Sequence, residues 1–250
     1  MTQAASVQFS QVAVCYSHGN TVVHHLDLHV EHGEFVSILG PSGCGKSTVL
    51  KAAAGIQQIS NGFVSVGGRK VTEPNRECGF VFQQETLFPW HTVRRNVEFG
   101  LRLSRIGRAE RRGIVDDALQ QMGLAEFAGV YPAQLSGGMK QRVELARVLV
   151  NNPKVLLMDE PFGALDAQTR LRMQKLLLEI WERNRIAVLF VTHDVDEALL
   201  LSDRVVILSD RPATIKHCLA VDIPRPRATD HLMSPAFNEL KKICFQQLSH

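Results

Sequence analysis

The sequence predicts an α/β fold: a mixed sheet with parallel strands, joined to an antiparallel β subdomain and an α-helical subdomain. Two patterns support this prediction. Short, nearly continuous apolar runs suit strands that are covered on both faces, as in a parallel sheet. Alternation of apolar and polar residues between turn residues suits antiparallel strands instead. The continuous runs cover residues 35–39, 155–158, 187–191 and 205–208.

The other elements follow from periodicity. Alternation predicts antiparallel strands over residues 7–16 and 26–30 and near residue 63, with turns at 18–20 and 67–68. Helical spacing predicts a helical insertion over about 86–132, which includes a helix over 109–122. The insertion has five arginines between 102 and 112, which we interpret as its solvated face. Two further helices have apolar faces at Val143, Ala146 and Val150, and at Met173, Leu177, Ile180 and Trp181.

Composition limits the class of protein. The 250 residues suit one main domain, predicted over 1–220, with a short helical extension over 221–250. The longest apolar run has six residues, 186–191, whereas a membrane span needs roughly 20. The N-terminus lacks the pattern of a secretory signal. A net charge of +3 does not argue for nucleic-acid binding, and five cysteines without a CxxC pair suit a reducing cytosol.

The strongest local pattern is GPSGCGKST, which lies between a predicted strand and a predicted helix. In that context glycines let backbone N–H groups surround a phosphate, and the helix directs its positive N-terminal end at the same anion. Lys46 is then placed to reach the β- and γ-phosphates, and the Ser47 hydroxyl to bind Mg²⁺. A glycine-rich turn without function is the less favoured alternative. The predicted ATP-binding residues are Gly40, Pro41, Ser42, Gly43, Cys44, Gly45, Lys46, Ser47 and Thr48.

The second pattern is KVLLMDEP, an apolar strand that ends in two acids. Asp159 is the expected partner of the Mg²⁺ shell, and Glu160 is the expected general base for the attacking water. Strand ends with two solvated acids are common, so this pattern alone leaves a purely structural interpretation open.

The third pattern, LSGGMKQRVELARVL, opens a predicted helix with Ser136, Gly137 and Gly138, which makes a second anion-binding helix start. With these three patterns the chain resembles the ABC ATPase family, whose fold has a P-loop NTPase core with a RecA-like mixed sheet. The resemblance covers about residues 7–210. It implies that Ser136, Gly137 and Gly138 of one subunit close over the ATP of another, hence a homodimer with two ATP molecules.

The resemblance also assigns residues outside these three patterns. It implies that Tyr16 stacks on adenine, although an ordinary strand aromatic is the alternative. It implies that Gln83 senses Mg²⁺ and the attacking water, with Gln84 as a less favoured register. Asp166 then belongs to the loop that links the two active sites, and His193 contacts the γ-phosphate. Glu160, His193 and Gln83 are therefore the predicted catalytic residues, with Ser47, Gln83 and Asp159 around the metal.

The stretch after Gln83 resembles the subfamily that imports nitrate, taurine or aliphatic sulfonates; importers of a thiamine precursor are similar. The resemblance implies that Phe88, Pro89 and Trp90 contact a membrane permease, although a packed aromatic is the alternative for Trp90. It also implies a solute-binding protein as an indirect partner, no nucleic-acid partner, and a peripheral position at the cytoplasmic face of the inner membrane. The alternative classes are a soluble ABC ATPase acting on DNA or ribosomes and a small-molecule kinase.

Overall fold

The computed structural model describes residues 6–16, 19–104 and 106–249. Three predicted features include residues that lie outside the described ranges. These are the first five residues of the N-terminus, where no signal is predicted, His18 of the predicted turn and Arg105 of the arginine-rich stretch. Two sheets and seven α-helices contain most of the described chain.

The larger sheet has six strands in the order β10-β9-β3-β8-β7-β6. All neighbours are parallel except β10, which pairs antiparallel with β9. Every residue of β3, β7 and β8 is buried, which confirms the parallel core predicted from continuous apolar runs. The strands are β3 (Phe35–Leu39), β6 (Cys78–Val81), β7 (Val155–Asp159), β8 (Ala187–Val191), β9 (Arg204–Leu208) and β10 (Ile215–Ala220).

The smaller sheet is antiparallel and has the order β2-β1-β4-β5, as the alternating pattern predicts. Its inward-facing residues pack on α1 and on one face of the larger sheet, forming one continuous hydrophobic core. The strands are β1 (Val7–Tyr16), β2 (Asn20–Val30), β4 (Asn61–Val66) and β5 (Arg69–Lys70).

Two strands of the larger sheet were not predicted, and both are edge strands. β6 has four residues and, among the described strands, pairs with β7 alone. Its Gly79 lies so close to the next layer that an added Cβ would be 2.4 Å from Val148 Cγ1. Within the same described part of the chain β10 pairs with β9 alone, and its residues alternate between partly exposed and exposed. Neither strand has the long apolar pattern that marks a central strand.

Helices cover the other face of the larger sheet and form the insertion after β6. The helix predicted over 109–122 is α3, at Arg108–Gln121. It packs with α2 (Val93–Arg102) and α4 (Gly137–Leu149), and their apolar faces join those of β7, β8 and α5 in a second core. The remaining helices are α1 (Lys46–Ala53), α5 (Ala167–Asn184), α6 (Val195–Leu201) and α7 (Pro235–Leu248).

The last segment of the chain packs against the β9 side of the larger sheet. Phe237 and Cys244 of α7 are fully buried against α6 and β9. Lys241 forms an ion pair with Asp196 at 2.7 Å. The buried guanidinium of Arg227 donates to backbone carbonyls that include Leu199 O and Val221 O. No described helix is both long and apolar enough to cross a membrane.

Candidate active site

The loop between β3 and α1 has the backbone geometry of an anion cradle. Gly43 and Gly45 have φ values of 75° and 132°, which other residues rarely adopt. Space is also limited at Gly45, since an added Cβ would be 3.1 Å from Val22 Cγ1. The Lys46 ammonium lies inside the loop and donates to Gly40 O at 2.7 Å and Pro41 O at 2.9 Å. A buried cation is thus held where an anion would complete its bonding.

Cys44 differs from the other residues of the loop because its side chain points into the hydrophobic core. Burial raises the pKa of the Cys44 thiol. Only the backbone of Cys44 is therefore available to a phosphate. Ser42, Ser47 and Thr48 instead line an open cleft beside the loop.

The end of β7 meets the start of α1. The Ser47 hydroxyl donates to Asp159 Oδ1 at 2.8 Å, although the two residues are 112 positions apart. Asp159 ends β7, and its carboxylate is buried. Burial raises the pKa of Asp159, and the hydrogen bond from Ser47 opposes that rise. The arrangement brings a hydroxyl and a carboxylate oxygen together at the phosphate loop.

These two oxygens fit a magnesium ion. Mg²⁺ prefers oxygen ligands, and it usually binds one or two carboxylates together with waters and substrate phosphates. Within the described ranges, no cluster of three His, Cys, Asp or Glu side chains could hold a metal by itself. The residues therefore suit a magnesium ion that arrives with a nucleotide.

The carboxylate of Glu160 is the meeting point of the predicted catalytic residues. His193 Nδ1 lies 3.0 Å from Glu160 Oε2, and Gln83 Nε2 approaches the same oxygen at a longer 3.4 Å. Glu160 itself has a φ of 44°, and its N–H donates to Val191 O at the end of β8. Three loops that follow β6, β7 and β8 thus converge, because the carboxyl ends of parallel strands share one edge of the sheet.

The loop that carries His193 is held by a buried carboxylate that sequence reasoning did not identify. Glu197 accepts hydrogen bonds from the Thr192 hydroxyl at 2.5 Å and the Gln174 amide at 2.9 Å. Burial raises the pKa of Glu197. The Thr192 hydroxyl in turn accepts from the N–H of Asp194 at 3.0 Å. A second acidic residue beside Asp196, in a short helix whose other residues are apolar, was the available sequence signal.

The open cleft has a volume of about 500 Å³. Residues from the phosphate loop, Gln83, Glu160 and His193 line it together with Arg211, which sequence reasoning did not select. Tyr16 ends β1, its side chain is 43% exposed, and its hydroxyl lies 3.3 Å from Thr48 Oγ1. An exposed aromatic ring thus stands beside the phosphate loop. Stacking of Tyr16 on adenine stays a prediction.

Ser136, Gly137 and Gly138 do not line this cleft. Ser136 is the N-cap of α4, and its hydroxyl accepts from the N–H of Met139 at 3.4 Å. Gly137 is exposed, whereas Gly138 lies so near α5 that an added Cβ would be 2.5 Å from Thr169 Cγ2. This second helix start is therefore open to another molecule.

Asp166 caps a helix. Its carboxylate accepts from the N–H of Thr169 at 3.0 Å at the start of α5. Hydrogen bonding to Thr169 lowers the pKa of Asp166. Capping accounts for an acidic residue here by itself. The linking role implied for Asp166 stays a prediction.

The aromatic corner, Phe88, Pro89 and Trp90, lies at the surface between β6 and α2. Trp90 is 68% exposed, and its ring centroid is 5.8 Å from that of Phe88. The buried amide of Asn96 holds the turn, accepting from Phe88 N at 2.8 Å and donating to Phe88 O at 3.1 Å. The corner is therefore a fixed apolar projection.

The chain between Gln83 and this corner is fastened to α4, the helix that Ser136 begins. Glu144 accepts from the N–H and the hydroxyl of Thr86 at 2.5 and 2.9 Å. Arg147 donates to Thr86 O at 2.7 Å, and its guanidinium lies 5.5 Å from the centre of the Phe88 ring. Sequence reasoning missed this contact because the partners are about 60 positions apart.

The fold and the cleft together define the class of protein: a P-loop nucleoside triphosphatase. Comparison with known proteins identifies the family. A protein-family model described as "ABC transporter" matches residues 23–163. The chain therefore belongs to the ABC transporter family. It is an ATP-binding subunit that hydrolyses ATP.

Two relatives and one solved structure are informative. The nitrate import ATP-binding protein NrtD of Synechocystis sp. is 49% identical over 82% of this chain and 77% of its own length. The bicarbonate transport ATP-binding protein CmpC of Synechococcus elongatus is 48% identical over 86% of this chain and 33% of its own length. A dimeric ATP-binding cassette in a post-hydrolysis state, bound to ADP and Pi, matches 87% of this chain and 100% of its own with a TM-score of 0.77 and 32% identity.

Proposed function

We propose that this chain is the ATPase subunit of an ABC importer for a small oxyanion such as nitrate or bicarbonate. The observation that carries the catalytic part is the convergence of Gln83 and His193 on Glu160 beside the phosphate loop. The importer part rests on the similarity to NrtD and CmpC. Taurine, aliphatic sulfonates and a thiamine precursor stay predictions from sequence.

In this proposal, different residues of the cleft contact different parts of ATP. Lys46 and the backbone of residues 40–48 bind the phosphates, and Tyr16 contacts the adenine. Glu160 accepts a proton from the attacking water, while His193 and Gln83 orient that carboxylate and the γ-phosphate. Ser47, Asp159 and Gln83 would hold Mg²⁺, which neutralises phosphate charge when bound.

We further propose that the catalytic unit is a homodimer. The open helix start at Ser136, Gly137 and Gly138 is built to contact an anion, yet it does not line the cleft of its own chain. A second copy facing the first would bring each helix start over the other chain's ATP. The solved relative bound to ADP and Pi is a dimer, which supports this arrangement.

The aromatic corner is the proposed contact with the permease, because an exposed, rigid tryptophan is a typical interface anchor. The chain would then act at the cytoplasmic face of the inner membrane, with a solute-binding protein as an indirect partner and no nucleic acid. We propose the domain division 1–220 and 221–250, with the helical subdomain at about 86–132. The extension contributes α7 to the packed structure.

The test is reconstitution with a candidate permease from the same organism. Vesicles that contain both subunits and a solute-binding protein are supplied with ATP and labelled nitrate, bicarbonate or taurine. We expect ATP-dependent uptake of an oxyanion and none with Glu160→Gln. Uptake of taurine alone would contradict the proposed solute class, and equal uptake with Glu160→Gln would contradict the catalytic assignment.

A further inference from the structure

Arg211 lies at the rim of the nucleotide cleft, one residue past the stretch that resembles the ABC ATPase family. It follows β9, the strand next to the one that leads into the phosphate loop. Its side chain is exposed and lines the same cleft as Ser42, Gly43 and Lys46. Within the described part of the chain, Arg211 takes part in no ion pair.

The loop that carries Arg211 is fixed on both sides. On one side, Ser209 N donates to Thr214 O, and Ser209 Oγ accepts from Thr214 N, both at 3.0 Å. On the other side, Ala213 N donates to Val22 O at 2.8 Å, which joins the loop to the hairpin that carries Tyr16. The end of β9 also lies close to the phosphate loop, because a Cβ added at Gly40 would be 3.2 Å from Leu208 O. The arginine is therefore presented to the cleft from a rigid support.

The charges around the cleft favour an anionic ligand at this position. Lys46 is bound to two carbonyls of its own loop, whereas the Arg211 guanidinium has five N–H donors and a permanent charge. Arginine matches phosphate geometry with paired hydrogen bonds, and it is less strongly hydrated than lysine. Lys46 and one helix start can contact only some of the negatively charged oxygens of a triphosphate.

We propose that Arg211 binds the polyphosphate of ATP in its own subunit, as a second cation beside Lys46. The contact goes beyond the phosphate loop and the residues of the opposite helix start. It makes the β9–β10 loop part of the nucleotide site, and it couples that loop to the hairpin of Tyr16 through Ala213. Since the contact is made to phosphate oxygens, it contributes to affinity for nucleotides without selecting the base.

The test is a competition assay on the full chain, in which ATP, tripolyphosphate and adenosine displace a fluorescent nucleotide. We expect Arg211→Ala to weaken ATP and tripolyphosphate by about tenfold, the lower range for a charge-assisted hydrogen bond, and to leave adenosine unchanged. Arg211→Lys should restore only part of the affinity, because lysine keeps the charge but cannot form the paired hydrogen bonds. The loss should shrink as salt concentration rises, because the residue is exposed.

The matched control is Arg183→Ala. Arg183 is also exposed, but it lies near the end of α5, at the opposite edge of the sheet from the cleft. The proposal is overturned if Arg211→Ala binds tripolyphosphate as the Arg183→Ala protein does, or if adenosine loses affinity by the same factor as ATP. Failure of the wild-type protein to bind ATP would instead contradict the nucleotide site itself.

Discussion

Replacing Glu144 by alanine should loosen the segment that joins Gln83 to the aromatic corner. The carboxylate is buried, and one of its oxygens accepts both hydrogen bonds from Thr86. Its neighbour Arg147 is 3.8 Å away and largely buried too. Glu144→Ala therefore leaves two donors of Thr86 without this acceptor and removes the ion-pair partner of Arg147.

The expected loss in the free energy of unfolding follows from these contacts. A hydrogen bond to a charged group contributes about 1.5–3 kcal/mol, and removing one partner of a buried ion pair costs about 3–5 kcal/mol. The terms overlap because both hydrogen bonds end on a single oxygen. We expect Glu144→Ala to lower the free energy of unfolding by about 3–4 kcal/mol. Glu144→Gln keeps an acceptor oxygen and should cost about 1 kcal/mol at neutral pH.

The pH dependence has a definite sign. Burial raises the pKa of Glu144 above its ordinary value of 4.5, so the folded protein holds that proton more tightly than the unfolded chain does. The resulting stabilisation is complete below pH 4.5 and is lost as pH rises through the raised pKa. Because glutamine does not titrate, the deficit of Glu144→Gln relative to wild type should become smaller as pH rises through this window.

Urea unfolding followed by circular dichroism measures these differences. The control is Lys140→Ala, which removes the 2.9 Å pair with Glu85 on the same segment but at a more exposed position. That pair should contribute about 0–1 kcal/mol. The reasoning is refuted if Glu144→Ala unfolds within 1 kcal/mol of wild type (about the size of one ordinary hydrogen bond), or if Lys140→Ala costs as much.

Three further changes test other parts of the structure. Lys46→Ala should abolish ATP binding in a fluorescence titration, because the loop loses its buried cation; normal affinity would contradict the phosphate-loop assignment. Trp90→Ala should lower co-purification with the permease without changing the melting temperature, since the ring is 68% exposed; unchanged co-purification would remove the aromatic corner from the interface. An alkylating reagent at pH 8 should modify the exposed Cys15 before Cys78 and Cys244. Hydrogen bonds from Ser60 and Thr21 lower the pKa of Cys15, whereas burial raises the pKa of Cys78 to about 12 and that of Cys244 to about 11. Mass spectrometry that finds the reverse order of modification would contradict this.

The strands that the sequence predicts correctly are those whose local hydrophobic pattern matches their burial in the structure. β3 and β8 have the predicted bounds because each strand lies between two neighbours and two covered faces. β6 and β10 were missed because an edge strand pairs on one side only and needs no continuous apolar run. For such strands the register comes from the neighbouring strand.

The residues of the site likewise form two groups, one that the sequence predicts and one that it does not. Asp159 and His193 lie at or just after strand ends, and Lys46 begins the helix after β3, each within a recognisable motif, so their convergence follows from the topology of a parallel sheet. Glu144 contacts residues distant in the sequence, and Arg211 reaches the cleft from a loop that is bonded to a distant hairpin, so their spacing alone gives no signal. The side chain of Cys44 illustrates a further limit, because the motif predicts a loop residue and the structure shows a buried core residue.

In the proposed dimer, each ATP is shared between the phosphate loop of one chain and the α4 helix start of the other. Sedimentation of Glu160→Gln with ATP and Mg²⁺ tests it directly, and the 27.8 kDa chains should form a dimer that disappears when ATP is replaced by ADP. Adding Gly137→Arg to the same variant should keep it monomeric while ATP still binds. A Glu160→Gln protein that binds ATP but stays monomeric, both alone and on its permease, would contradict the claim.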